Sequence, residues 1–271
     1  MIRNKKLLMG LFIVLFITLL ALLAPYISTF NPATNDLVNR LTPPNNIHYL
    51  GTDHLGRDVF SRLVYGARLS IGISLFVLII SLVVGTLLGI LAGYYGGIVD
   101  DIIMTITEIL LAFPSMILSL AIVGIMGAGI KNTIIAVTMF SWIGYTKLVR
   151  GMVMSLIQKE FVKSAKICGS SDFKIMFIHI LPNIFNSIIV YSVTSISTVM
   201  MQISSLSFLG LGVQPPMAEW GNMLNEAKGY ITNAPWLIIS PSVALVLMIM
   251  GFNLLGDGVA EYLNNKKNGS V

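Results

Sequence analysis

The chain has 271 residues, 55% of them hydrophobic and 11% charged, with a net charge of +5 and a mean hydropathy of +0.85. Soluble domains average about 25% charged residues, so this composition excludes an ordinary soluble domain and points to a bilayer. The positive residues sit between apolar segments, a pattern of membrane topology rather than of nucleic-acid binding, and the single cysteine, Cys168, excludes an internal disulfide and a multi-cysteine metal cluster.

A helix needs about 20 apolar residues to cross the hydrocarbon, and six stretches meet or approach that length. The first, Leu7 to Tyr26, follows Arg3, Lys5 and Lys6. It is long for a signal-peptide core, and Pro25 follows the only small-residue site near Ala24, so residues 1–30 are expected to be an uncleaved anchor. Residues 31–68 read as an external loop bearing an amphipathic helix that starts near Leu55. Thr52 or Asp53 would cap it, Asp58 and Arg62 would pair at i,i+4, and Val59, Phe60, Leu63 and Val64 would lie on one side. The second span, Leu69 to Tyr95, carries Gly85, Gly89 and Gly93 at the spacing that lets helix backbones approach closely.

The third span, Ile102 to Met126, holds Glu108 about 9 Å from its start at 1.5 Å per residue, with Pro114 placed to kink the helix. An acid at that depth faces protein or a water-filled cavity, so Glu108 reads either as a structural partner or as a lining of a path. Gly124, Gly127 and Gly129 close this span in a turn. The fourth span runs from Thr133 to Val149, the fifth from Ile184 to Leu209 and the sixth from Leu237 to Leu255. Asp257 reads as a helix-end residue. Between the last two spans, Trp220 and Trp236 read as interface anchors or as part of an outer rim that receives solute. Residues 69–262 thus form a five-span core, and 263–271 form a tail.

Lys147, Arg150, Lys159, Lys163, Lys166 and Lys174 lie between the fourth and fifth spans, three more positive residues open the chain, and Lys266 and Lys267 close it. An even number of spans places all three groups on one side, which the positive-inside rule makes the cytoplasm. Arg40, Arg57, Arg62 and Arg68 in the first loop oppose this weakly. The chain contains no phosphate loop, no H-E-x-x-H motif and no G-x-S-x-G elbow. His48, His54 and His179 are too scattered for a shared metal site. No cofactor is therefore expected in this chain.

The cytoplasmic segment from Arg150 to Asn183 reads as a helical hairpin. Glu160 opens a short helix, Gly169 stops it, Ser171 and Asp172 restart it, and Pro182 breaks it. By charge alone this is a solvated basic connector. The segment resembles the cytoplasmic EAA loop of ABC importer permeases, in which E-A-A is followed by three residues and Gly. Lys163 and Ser164 stand where that motif has Glu and Ala, and Ala165 and Gly169 match it. The resemblance implies that Glu160, Lys163, Ser164, Ala165, Gly169, Ser171 and Asp172 couple the chain to an ATPase. Ala165 and Gly169 would share the seated face and Lys163 and Lys166 its rim.

Three further blocks resemble the peptide and nickel permease branch of that family. They are Gly51-Thr-Asp-His-Leu-Gly56-Arg57-Asp58, the run from Ser207 through Gln214-Pro215-Pro216 to Glu219-Trp220-Gly221, and Asn253-Leu-Leu-Gly256-Asp257-Gly258. The likeness extends from about residue 50 over nearly the rest of the chain. It implies an all-α integral membrane protein with six transmembrane helices and a coupling hairpin, the type I ABC importer permease fold, in a bacterial cell membrane with both termini cytoplasmic. The implied partners are a second homologous permease, two ATPase subunits that carry ATP and Mg, an extracytoplasmic solute-binding protein and the lipid bilayer, with no nucleic acid. Gly51, Asp53, Gly56, Arg57, Asp58, Gln214, Glu219 and Trp220 are expected on the binding-protein face, with structural anchoring of the first block as the other reading. Glu108 and Pro114 are expected on the path or its gate. Peptides and nickel or other metal chelates all fit as solutes. A stand-alone ion-coupled carrier or channel is the alternative, although such carriers carry internal repeats and several intramembrane charges. A membrane scaffold without transport is a third class.

Overall fold

The computed structural model describes residues 5–268; Arg3 and residues 269–271 of the expected tail lie outside the described residues. Among the described residues the chain is helical and forms no strand, apart from an isolated bridge between Thr52 and Asp58. Helix α1 (Lys5–Leu22) starts at what we term the hairpin end, where Lys6 pairs with Glu261. It leads through the single turn α2 (Ala24–Ile27) to the opposite, clamp end, where the Phe30 N–H donates to Ser61 Oγ. Helix α3 (Val59–Tyr95) returns to the hairpin end. Helices α4 (Gly97–Leu111) and α5 (Ser115–Met126) cross back as a pair bent by 83°. Helix α6 (Ile130–Ile157) descends again and continues into α7 (Glu160–Ile167) and α8 (Asp172–Lys174). Helix α9 (Leu181–Phe208) rises to the clamp end, where α10 (Trp220–Ala227) lies, and α11 (Trp236–Asn268) closes the bundle.

The chain therefore passes six times between the two ends, as expected, but the passes differ in kind. Four helical segments are long and apolar enough to cross a membrane alone: Lys5–Leu22, Val59–Tyr95, Asp172–Phe208 and Trp236–Leu263, with the bent pair a fifth. Helix α6 is long enough at 28 residues, yet it is not among them, and Lys131, Lys147 and Arg150 lie along it. It is held by its neighbours instead: Ala136, Val137, Ile143, Val149 and Val153 are buried.

The structure corrects the reading of residues 31–68. No separate amphipathic helix lies on the outer surface, because α3 runs unbroken for 37 residues from Val59. Charge had set the apparent start of the span at Leu69, but Arg62 is buried in protein rather than in lipid. The cap is Asp58, which accepts from the Ser61 N–H, and not Thr52 or Asp53. Pro182 likewise makes no break. The preceding turn, Ile175–Ile180, is π-wound, and Leu181 donates to the Met176 carbonyl five residues back. That wider turn accommodates a proline lacking its N–H, so the hairpin's second arm is the start of α9. The tail is also shorter than expected, since α11 continues to Asn268, with Asp257 inside the helix. The bend before Ser115 does fall at Pro114, as expected.

The glycines of α3 form a seam for α6. A Cβ on Gly89 would sit 2.7 Å from Val149 Cβ and one on Gly93 2.8 Å from Val153 Cβ, while Gly85 faces the backbone of Trp142. Gly89→Leu is expected to destabilise the protein by about 1–3 kcal/mol through overpacking. The melting temperature and yield in detergent should fall. Gly72→Leu should leave both unchanged, because nothing lies within 4 Å of a Cβ there.

Candidate functional site

At the hairpin end, α7 is closed by a two-bond C-terminal motif. Gly169 at φ +77° donates to the Lys166 carbonyl and Ser170 to the Ala165 carbonyl. A left-handed residue at this position is the reason for glycine. The Ser171 hydroxyl then accepts from the Lys174 N–H and restarts the helix. Glu160, Lys163, Ser164, Gly169, Ser171 and Asp172 are all exposed. Ala165 is not: it is half-buried against the cluster containing Val162, Ile175 and Ile180. Ala165 and Gly169 therefore do not share one outward face, because Val162 and Ala165 lie three apart and both turn inward.

The outward face carries two apolar residues that charge-based reading of the loop passed over. Ile167 is 86% exposed and Phe173 68% exposed. Large apolar side chains thus stand in the open near Lys163, Lys166 and Lys174, which a purely solvated connector does not require. The hairpin is also tied to the bundle. The Tyr94 hydroxyl donates to Asp172 Oδ1 at 2.6 Å, and one turn inward Arg150 makes a bidentate pair with Asp100.

At the clamp end, the block from Gly51 to Asp58 folds into a tight turn with Gly51 and Gly56 both at φ +74°. Its charges turn inward. Arg57 Nε donates to Asp53 Oδ2 at 2.6 Å and Arg57 Nη2 to Glu226 Oε1 at 2.8 Å. Arg62 Nη2 donates to Glu226 Oε2 at 2.6 Å, and Arg62 Nε lies 3.6 Å from Asp53 Oδ2. Four charges thus alternate in a closed ring. Asp58 pairs with His48 Nδ1 at 2.9 Å and not with Arg62. Glu219 caps α10 through the Gly221 and Asn222 N–H groups and accepts from the Ser70 and Ser204 hydroxyls. The Trp220 indole donates to the Leu63 carbonyl and the Trp236 indole to the Thr52 carbonyl.

This placement corrects the expected binding-protein face. Gly51, Asp53, Gly56, Arg57, Asp58, Glu219 and Trp220 are buried within the chain, and the Gln214 amide is spent on the Gly210 and Gly212 carbonyls. They bind one another and are out of a partner's reach. Trp220 is likewise a core residue rather than an interface anchor. Val38, Ile47 and Tyr49 of the first loop are among the large side chains left open at this end. No group of three or more His, Cys, Asp and Glu side chains converges to hold a metal among the described residues.

Between the two ends lies a cleft of about 260 Å³, walled by α6, α9 and the break between α4 and α5. Leu111 and Ser115, flanking Pro114, line it. Glu108 does not; it sits on the exposed face of α4.

Residues 85–269 match the family described as binding-protein-dependent transport system inner membrane component, and residues 1–44 match the N-terminal transmembrane domain of oligopeptide transport permease C. The chain belongs to this permease family. It is 41% identical to the dipeptide transport system permease protein DppC of Alkalihalophilus pseudofirmus, over 97% of this chain and 87% of that one. It is 44% identical to the glutathione transport system permease protein GsiD of Pectobacterium atrosepticum, over 95% and 85%. It is 38% identical to the nickel transport system permease protein NikC of Escherichia coli K12, over 94% and 92%. Its fold is that of the inward-facing MetNI methionine ABC transporter, with a TM-score of 0.62 at 16% identity over 75% of this chain and 96% of that chain.

The permease is thus the membrane-spanning transport component of an ABC importer, not a catalyst, and it depends on ATPase and solute-binding partners. The family match to residues 1–44 covers the one region whose resemblance the motif reading did not use. Glu226 was also passed over, since nothing in Asn225-Glu226-Ala227 signals a partner 164 residues away in Arg62. Removing one member of a buried charge cluster costs about 3–5 kcal/mol. Glu226→Ala should therefore strip two arginines of their partner and sharply lower the melting temperature. A control change at the exposed, unburied Lys163 should move it by less than a degree or two.

Proposed function

We propose that the permease forms half of the translocation path of an ATP-driven importer for peptides or for nickel or other metal chelates. A second homologous permease and two ATPase subunits would complete the complex, and an extracytoplasmic protein would deliver the solute at the clamp end. ATP and Mg would belong to the ATPases. The observation that carries this reading is the hairpin, which holds Ile167 and Phe173 out of the bundle among lysines. A stand-alone carrier has no need of such a surface. The solute classes rest on the relatives named for dipeptide, glutathione and nickel transport.

A second permease is supported by α4 and α5. Ile102, Ile106, Ile109, Phe113 and Ile117 are exposed, and the carboxylate of Glu108 lies exposed on the same helix pair. A carboxylate facing lipid is costly, so a partner or a water-filled path covers that face. We assign Glu108 and Pro114 to this boundary of the path. Glu160, Lys163, Ser164, Gly169, Ser171 and Asp172, with Ile167 and Phe173, are assigned to the ATPase contact, and Ala165 to holding α7 in place. The receiving face at the clamp end falls to the exposed Val38, Ile47 and Tyr49.

Reconstituted with its partners, the complex should take up solute only with ATP and binding protein. A charge buried without a partner at a contact costs several kcal/mol, so Ile167→Asp should release the ATPases in a pull-down and abolish solute-stimulated hydrolysis, leaving membrane insertion intact. Full docking by that variant would remove the hairpin from the coupling route.

Both termini and the hairpin are proposed to be cytoplasmic. In a Cys168→Ser background, an impermeant thiol reagent applied outside whole cells should label Asn46→Cys and spare Ser171→Cys. The reverse pattern would invert the orientation.

A further inference from the structure

The cleft between α6 and α9 carries a polar wall. Along α9, Tyr191, Ser195, Thr198 and Gln202 line it. They recur at intervals of four, three and four residues, the spacing that keeps side chains on one helix face. Ser141 and Lys147 line it from α6. Gly144, between them, has no side chain because the Tyr191 hydroxyl occupies that space. The hydroxyl is thereby brought onto the same face of α6 as Lys147.

The two cations on this stretch of α6 are treated differently. Arg150 is neutralised by a bidentate pair with Asp100. Lys147, one turn nearer the clamp end, has an exposed side chain that points into the cleft and makes no ion pair or hydrogen bond among the described residues. An ammonium group in a crossing helix persists where it faces water or an anion and not where it faces lipid. The facing wall offers hydroxyls and an amide. Glu108, the nearest acid in the α4 sequence, lies outside the lining.

We propose that Lys147 and the stripe Tyr191, Ser195, Thr198 and Gln202 form a contact segment of the translocation path that takes an anionic group of the passing solute, a carboxylate. This rests on the importer reading and narrows it. The solute carries a carboxylate, as a peptide C-terminus or a carboxylate chelate does, and an uncomplexed divalent cation is repelled from this segment by the fixed positive charge.

The test uses the full complex with its partner subunits in proteoliposomes. Ser195→Cys and Thr198→Cys are made singly in a Cys168→Ser background. Each is exposed to an anionic (sulfonatoethyl) and a cationic (trimethylammonioethyl) methanethiosulfonate reagent, and modification of this chain is read by mass. Rates are normalised to the same reagents on a small free thiol. The anionic reagent should be preferred, and the preference should fall about tenfold in Lys147→Gln, invert in Lys147→Glu and survive in Lys147→Arg. Absence of modification at both cysteines during turnover would overturn the proposal. So would equal normalised rates for the two reagents in the Lys147 chain, a comparison that stands even where a substitution prevents assembly. Binding-protein-stimulated ATP hydrolysis and uptake are measured on the same vesicles. Stimulated, ATP-driven uptake without charge preference sinks this inference alone, whereas charge preference without ATP-driven uptake sinks the importer reading.

Discussion

Helices α3 and α6 approach each other closely along Gly85, Gly89 and Gly93, and the residues they meet on α6 are Tyr145, Val149 and Val153. In a bilayer, association between helices rests on close packing because lipid is as apolar as a side chain. The seam therefore fixes the rotation of α6, the long pass that is not apolar enough to cross a membrane alone. Once that rotation is set, Tyr145, Val149 and Val153 turn to the seam, Arg150 meets Asp100, and Ser141, Gly144 and Lys147 turn toward α9. The position of α7 follows, since only Gln158 and Lys159 separate it from α6. The hairpin and the cleft both depend on one stripe of missing side chains.

The two ends of the molecule use charge in opposite ways. At the clamp end, Asp53, Arg57, Arg62 and Glu226 are turned inward and closed into a ring, so residues from distant parts of the chain are cross-braced. Such a ring is costly to assemble and costly to interrupt, which suits a part of the structure that must keep one arrangement. At the hairpin end the lysines stay in solvent and apolar side chains are exposed among them. The hairpin is held from its inner side, by the cluster of Val162, Ile175 and Ile180 against Ile90 and Val153 and by the Tyr94–Asp172 hydrogen bond, so its outer side is left open.

The sequence signals that worked were those with a local physical cause. Pro114 lacks an N–H and breaks its helix at that residue; Gly169 adopts the left-handed conformation that ends α7; Ser171 caps the turn that follows. The glycine spacing of α3 foretold a close helix contact without naming α6 as the partner. The readings that failed were about direction. Asp53, Arg57, Asp58, Glu219 and Trp220 look like an exposed polar rim in one dimension, because charge in a loop ordinarily means solvent. Only the meeting of the first loop with α10, across more than 160 residues, shows that they face one another. Ala165 failed for the same reason: its spacing from Gly169 was legible, whereas the presence of Ile175 and Ile180 beneath it was not.

Composition, hydropathy and helix-ending residues, acting over a turn or two, determined by themselves that this chain is a bundle of membrane helices with a helical hairpin, and its motif blocks pointed to the permease family. Tertiary structure decided which way the polar residues point. A charged side chain on a long helix lies in lipid, in a ring of counter-charges or in a water-filled cleft according to what the rest of the chain brings against it. Arg62, Arg150 and Lys147 look alike in sequence; packing buries the first in a ring, pairs the second with Asp100 and leaves the third facing the cleft.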